Sequence, residues 1–295
     1  MTRALSATGL IVGAVALVLW LGGGLAGIEH WAASVQRETQ TLMAGALRGL
    51  RSGQPGAVWS LVGLCFAYGV AHAVGPGHGK MVIGSYGYGA DVPMMRLGVL
   101  SVASSLAQSA MAVIVVWAGI TLLDLGREQL TDLTERRMAD ISALMVTGVG
   151  LWLAWRGIRQ LRAAARAQDH HHHHHHDGCG CGHAHGPSAA QVSQARGLRD
   201  GLLVVASIAA RPCTGALFVL ILTWRMGIFG IGVLGTFAMG LGTALVTLAV
   251  AMLSVWARRG SAAAVADGAA ARWLPGIAQL AAGLLVAALS LVLLV

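Results

Sequence analysis

Long apolar runs constrain the fold of this chain more than any other feature of its sequence. The runs cover residues 8–28, 97–123, 141–155, 201–224, 227–256 and 274–295, and a seventh candidate segment covers residues 57–74. Several of them reach the ~20 residues that cross a bilayer. Because hydrocarbon offers the backbone no hydrogen-bond partner, each run is predicted to be a helix. The sequence therefore predicts an all-α polytopic membrane protein with about seven transmembrane helices.

Composition and charge exclude other classes of protein. Only 11% of the residues are charged, whereas an ordinary soluble domain carries about a quarter, so a soluble helical enzyme is not expected. The net charge of +8 does not indicate nucleic-acid binding, because the basic residues lie at the ends of the predicted spans. Their distribution favours a cytoplasmic N-terminus and an extracytoplasmic C-terminus.

Residues 1–56 are predicted to form one span followed by an extracytoplasmic segment. Arg3 before an apolar run, with small residues at 22–26, also resembles a signal peptide, but the run is longer than a usual signal-peptide core. An uncleaved span is therefore preferred. In the polar part, the spacing of Leu42, Ala46, Leu47 and Leu50 suggests a short surface helix. A plain linker fits this segment equally well.

Two segments of the chain resemble each other. Residues 73–79 align with residues 209–215 through Ala, Pro and the final Gly, and two further spans follow each segment. Counting spans gives the halves 57–161 and 201–295 opposite orientations, with a cytoplasmic loop at 162–200 between them. Many secondary transporters build a midplane site from such a three-plus-three inverted repeat with broken helices. A chance match is the alternative explanation.

The first of these segments breaks a helix between two histidines. Pro76 has no N–H to donate, so it frees the carbonyl of His72, and Gly75 and Gly77 allow the chain to unwind. Unwinding would bring His72 and His78 toward one ion, and imidazole suits Ni, Co, Zn and Cu. The alternative is a proline kink whose histidines hydrogen-bond to neighbouring helices.

Other polar residues within the spans could contribute to the same path. The second break contains Arg211, Pro212, Cys213 and Thr214, which we expect to shape the wall opposite the histidines. Hydroxyl and amide side chains, which would either line the path or hold helices together, include Ser105, Gln108 and Thr243.

The cytoplasmic loop is rich in metal-binding side chains. Its candidate ligands are His170, His171, His172, His173, His174, His175, His176, Cys179, Cys181, His183 and His185. Neutral imidazoles and thiols bind borderline divalent metals. The Cys-x-Cys spacing does not match a zinc finger, so the loop is interpreted as a flexible metal buffer. An expression tag is the alternative, although tags are usually terminal.

Three motifs in this sequence resemble those of a known family. Residues 72–80 look like the signature of the NicO/RcnA-type nickel/cobalt efflux transporters, 211–216 resemble that family's second proline motif, and 239–244 its Gly-Thr motif. The resemblance implies export of Ni²⁺ or Co²⁺ across the bacterial inner membrane, with His72 and His78 in the transport site. Some members have a histidine where this chain has Gln108, which leaves the metal, including Zn²⁺, open.

Secondary transport of a divalent metal is therefore the expected function. One alternative is a transmembrane thiol–disulfide conduit that uses Cys65 and Cys213, and another is a metal sensor or insertion partner without transport. The expected partners are metal ions and the bilayer, with no nucleic acid and no tightly bound cofactor. The sequence leaves a homo-oligomer open.

Overall fold

The computed structural model describes residues 24–75, 78–89, 92–166, 189–264 and 270–292. Regular structure within these ranges is helical throughout, which confirms the predicted all-α class. The helices are α1 (Gly24–Arg51), α2 (Ala57–Val74), α3 (His78–Gly89), α4 (Met94–Thr121), α5 (Arg127–Asp132), α6 (Met138–Arg166), α7 (Ala189–Ala209), α8 (Thr214–Arg225), α9 (Phe229–Ala264) and α10 (Ala270–Val292). One π-helical turn, Leu133–Arg137, joins α5 to α6.

Five of the seven predicted spans correspond to helices that are long and apolar enough to cross a membrane. They are Ala57–Val74, Met94–Thr121, Arg127–Arg166, Phe229–Arg259 and the bent pair Arg199–Ala209 with Thr214–Arg225. The first predicted span lies almost wholly outside the described residues. The last predicted span contains a shorter apolar helix, Pro275–Leu291. The described residues therefore support four or five spans.

The polar segment after the first predicted span is a long packed helix, so its interpretation as a plain linker was wrong. Helix α1 has 28 residues and packs along α2. Its buried face includes Ala32, Met43 and Leu47, whereas Leu42 is 51% exposed. The amphipathic spacing correctly indicated a helix, but that helix begins earlier, at Gly24, and Leu42 lies off its packed face.

The two predicted halves contain a similar order of elements, apart from α5 and the π-helical turn, which within the described residues occur in the first half alone. Helix α2 is followed by the 12-residue α3, and α7 is followed by the 12-residue α8. Two longer helices then complete each half, α4 and α6 in the first, α9 and α10 in the second. Helices of one half pack against helices of the other, in the pairs α2 with α9, α4 with α9, α4 with α7 and α6 with α10. The polar interior therefore lies between the halves.

Glycines set the close packing of α6 against α10. Gly150 and Gly157, two turns apart on α6, face Gly283 and Gly276 on α10. A Cβ added to Gly157 would lie 2.5 Å from the backbone nitrogen of Leu280. Small residues at such positions let membrane helices approach closely and gain van der Waals contact. This seam fixes the position of the last helix.

We predict that Gly157→Val lowers the stability of the protein. The added side chain must push two backbones apart, and overpacking of this kind costs about 1–3 kcal/mol. Gly148→Val is the matched control, since Gly148 is exposed on the same helix and nothing lies within 4 Å of a Cβ there. Thermal unfolding in detergent should show a lower midpoint for Gly157→Val alone. Equal midpoints for the two variants would contradict the close packing.

Candidate metal-transport site

His72 lies in the last turn of α2 and is held from two sides. Its Nδ1 is 3.3 Å from Oε1 of Gln36 on α1. Its ring stacks on Tyr68, with the ring centroids 5.9 Å apart and the planes 9° from parallel. Gln40 in turn donates from Nε2 to the Tyr68 hydroxyl over 3.3 Å. Helix α1 therefore supplies two amides that fix the orientation of the histidine.

The contact with Gln36 leaves His72 ready to act as a ligand. When Nδ1–H donates to the amide oxygen, Nε2 keeps a free lone pair. Metal-binding histidines usually donate their other ring N–H to an oxygen in this way. Sequence reasoning missed Gln36 and Gln40, although steps of four, three and four residues from Gln36 through Gln40 and Met43 to Leu47 mark them as part of the packed face of α1.

The first break has the local geometry that its sequence predicts as far as the structure describes it. Gly75 leaves the helix with an extended backbone at ψ 166°, and its N–H donates to the carbonyl of Ala71 over 3.4 Å. Pro76 and Gly77 lie outside the described residues, as does the side chain of His78. Joint binding of one ion by His72 and His78 therefore stays a prediction.

The second break bends the chain by 63° between α7 and α8. Arg211 and Pro212 are non-helical, and Cys213 is the N-cap of α8. Gln108 on α4 donates from Nε2 to the carbonyl of Arg211 over 2.6 Å. Unwinding leaves carbonyls without helical partners, so Gln108 stabilises the break and also ties the two halves together.

The two breaks lie against each other. Cys213 lies next to His72, and Thr214 lies next to Tyr68, whose hydroxyl oxygen would be 2.9 Å from a Cβ added to Gly215 at the start of α8. The Cys213 sulfur is also 3.8 Å from the Met239 sulfur on α9. The end of α2 and the start of α8 therefore place an imidazole, a thiol and a thioether side by side.

A small polar chamber, with room for about one water molecule, adjoins Cys213. Its walls are Ser105, Gln108, Ser109, Cys213, Ala216, Thr236, Met239, Gly240 and Thr243. Ser105 donates to the carbonyl of Ser101 over 3.0 Å, and Thr243 donates to the carbonyl of Met239 over 3.2 Å. Because these hydroxyl protons are directed at the backbone, the oxygen lone pairs are free to face an ion. Ser105, Gln108 and Thr243, predicted from the sequence, thus lie around one space.

The Gly-Thr motif of α9 shapes the chamber by allowing contacts on two sides. A Cβ on Gly242 would lie 2.2 Å from the carbonyl oxygen of Phe66 on α2, and a Cβ on Gly240 would lie 2.2 Å from the Ser109 hydroxyl on α4. Thr243 also donates to the carbonyl of Gly69 over 3.3 Å. Glycine is required at both positions because the neighbouring atoms occupy the place of a side chain.

The other predicted ligands include the histidines and cysteines of the 162–200 loop. These residues lie outside the part of the chain that the structure describes. Within the described residues no group of three or more His, Cys, Asp and Glu side chains could hold a metal. Asp200 on α7 pairs with Arg156 on α6 at 3.4 Å.

Comparison with known proteins identifies the family. A profile of the NicO family, described as high-affinity nickel-transport protein, matches residues 58–178. A Haemophilus influenzae protein named "Putative nickel/cobalt efflux system" is 31% identical over 270 residues, which cover 85% of this chain and 82% of that protein. The chain belongs to the NicO family. It is accordingly a multi-pass membrane protein of a metal-transport family.

The NicO profile covers only part of the site. Residues 58–178 include His72 and Gln108, whereas Cys213, Thr236 and Met239 lie beyond them. No solved structure matches this chain. The contribution of the second half to the site therefore rests on the contacts described above.

We predict that Gln36→Leu weakens metal handling by this NicO-family chain. Loss of the acceptor frees the His72 ring to rotate and to change tautomer, and such changes around a metal ligand typically cost 10–100-fold. The half-saturating Ni²⁺ concentration for flux into liposomes should rise by at least about tenfold. Gln36→Glu, which keeps an acceptor oxygen, should retain most of the affinity. Flux for Gln36→Leu that matches the unmodified chain would contradict the role of Gln36.

Proposed function

We propose that this chain exports Ni²⁺ and Co²⁺ from the cytoplasm across the bacterial inner membrane as a secondary transporter. The observation that carries the proposal is the meeting of His72 with Cys213 where two broken helices face each other beside a polar chamber. Broken helices at the contact of two repeats are the usual substrate site of secondary transporters. The name of the Haemophilus influenzae relative supports metal efflux.

The donor groups suit a cation that exchanges its hydration shell for protein ligands in stages. A divalent ion in a low-dielectric interior is very costly unless ligands replace its hydration shell. His72 supplies a nitrogen at the breaks, and the hydroxyls of Ser105 and Thr243 supply oxygens in the adjoining chamber. His78 is proposed as a second imidazole ligand. A path of several weak ligands lets an ion bind and also leave.

The charge distribution and the loop support export from the cytoplasm as the direction of transport. More basic residues lie in loops that are cytoplasmic if the N-terminus is inside, and this topology also places residues 162–200 in the cytoplasm. A loop with seven consecutive histidines on that side would collect ions before export. The two halves would then expose the site alternately to the two sides.

The thiol–disulfide conduit receives no support from the cysteine contacts. Cys65 and Cys213 are both free, and each contacts a methionine sulfur, that of Met43 at 3.6 Å and that of Met239 at 3.8 Å. An electron relay requires two cysteine sulfurs to bond and separate. Metal transport is therefore preferred to the conduit, and a metal sensor or insertion partner without transport is the remaining alternative that flux measurements distinguish.

His72→Ala should reduce Ni²⁺ and Co²⁺ flux to the level of empty vesicles, because the variant lacks the imidazole at the meeting point of the breaks. His30→Ala is the matched control, since His30 is an exposed histidine of α1. The measurement is flux of Ni²⁺, Co²⁺, Zn²⁺ and Cd²⁺ into proteoliposomes at two pH values. Normal flux for His72→Ala would show that the site is elsewhere. Metal binding without flux by the unmodified chain would indicate a sensor.

Deletion of residues 170–185 should raise the half-saturating metal concentration severalfold while leaving the maximal flux unchanged. The loop raises the local metal concentration at the site entrance, and its loss affects capture without altering the path. A Gly/Ser segment of equal length is the control for loop length. A lower maximal flux with unchanged half-saturation would instead assign the loop to the translocation step.

A further inference from the structure

We propose that Cys213 and Met239 are metal ligands, so that the transport site offers two sulfur donors and the His72 imidazole to a thiophilic divalent ion. The inference deepens the proposed function by naming the chemistry of the site. It depends on that function only for the role of the site in transport, because metal binding can be measured without flux. According to this proposal, the second half of the chain supplies metal ligands to the site in addition to shaping its wall.

The spacing of the sulfurs suits one bound ion. Two sulfurs bonded at about 2.3 Å to a tetrahedral metal lie about 3.8 Å apart. The sulfurs of Cys213 and Met239 are 3.8 Å apart. The ring of His72 lies next to Cys213, and its Nδ1 is 3.3 Å from Oε1 of Gln36, which leaves Nε2 for a metal. Small movements of side chains, without a change in the helices, would place all three donors around a metal.

Cys213 stands where a helix begins. It is the N-cap of α8 and forms no side-chain cap hydrogen bond. The first turn of a helix attracts negative charge, so a thiolate bound to a metal would be stabilised at this position. Binding of the ion would release the thiol proton to solvent. The resulting negative charge would offset part of the charge of the cation.

A buried hydroxyl beside the sulfurs supplies independent support. Thr236 is fully buried and lines the same chamber as Cys213 and Met239, and within the described residues its Oγ1 has no hydrogen-bond partner. A buried hydroxyl without a partner costs about 1–3 kcal/mol. An ion or its bound water in the chamber would give Thr236 a partner. The Thr236 hydroxyl oxygen is thus available as a further donor next to the proposed sulfur ligands.

A second cysteine–methionine pair, Cys65 with Met43, is a packing contact in the apolar core. The Cys65 and Met43 sulfurs are 3.6 Å apart, and both residues are fully buried in an apolar cluster. Neither of them lines the chamber. Cys65 is therefore a matched control for Cys213, with the same side chain and a similar sulfur neighbour.

Sulfur ligands would explain how the site discriminates among cations. Thiolate and thioether ligands favour soft and borderline metals, whereas Mg²⁺, Ca²⁺ and Mn²⁺ prefer carboxylate, carbonyl and water. The chamber walls carry no carboxylate. The site should consequently accept Co²⁺, Ni²⁺ and Cd²⁺ and reject the abundant hard ions. Met239→Leu should lower the preference for Cd²⁺ over Co²⁺, since it removes only the thioether.

Cobalt(II) is the probe for the proposed ligands. The full-length chain with Cys179→Ser and Cys181→Ser, which lacks the loop thiols, should show a thiolate-to-cobalt charge-transfer band in the near ultraviolet. Adding Cys213→Ser should abolish the band and weaken Co²⁺ binding by about tenfold or more. Adding Cys65→Ser should leave the band and the affinity unchanged.

A band that survives Cys213→Ser, or no band in the chain without loop thiols, would overturn the proposal. If Cys213→Ser fails to fold, Cys213 can be kept as the only cysteine and tested for Cd²⁺ protection against a small thiol reagent. Protection supports the proposal, and its absence overturns it. Flux without the band would leave the proposed function intact, whereas the band without flux would contradict transport but retain the site.

Discussion

Where α2 crosses α9, two glycines allow the backbones to touch. A Cβ on Gly69 would lie 2.0 Å from the carbonyl oxygen of Met239, and one on Gly242 would lie 2.2 Å from that of Phe66. The Thr243 hydroxyl donates to Gly69 across the same crossing. This contact places Met239 between the two breaks and opens the chamber toward α4. Without it, the imidazole of the first half and the sulfurs of the second half would not meet.

Helix α1 lies outside the repeated halves and yet sets the chemistry of His72. Its amides orient the imidazole directly through Gln36 and indirectly through Gln40 and Tyr68. In a bilayer, a polar side chain that lacks a partner is costly, so such amides are placed where they are satisfied. The helix that precedes the two predicted halves is thereby part of the proposed site.

The site is asymmetric although the two halves share a similar order of elements. The first break contributes an imidazole, whereas the second contributes a thiol at a helix N-terminus and the Arg211 carbonyl that Gln108 holds. Hydroxyls on α4 and α9 continue the polar surface beyond the breaks. The two breaks are thus similar in backbone geometry, and the different side chains at them would give the proposed site its donors.

The sequence by itself determined the helical membrane class, both helix breaks and the histidine motif, because each of these depends on residues close together in the chain. A helix in hydrocarbon satisfies its own backbone, so its length and its breaks can be read locally. Only the tertiary structure decided which polar residues meet. Gln108 bonds a carbonyl 103 residues away, and Thr243 bonds one 174 residues away. Those contacts, like the recruitment of Gln36 and Met239, depend on glycine-mediated helix crossings that no local pattern specifies.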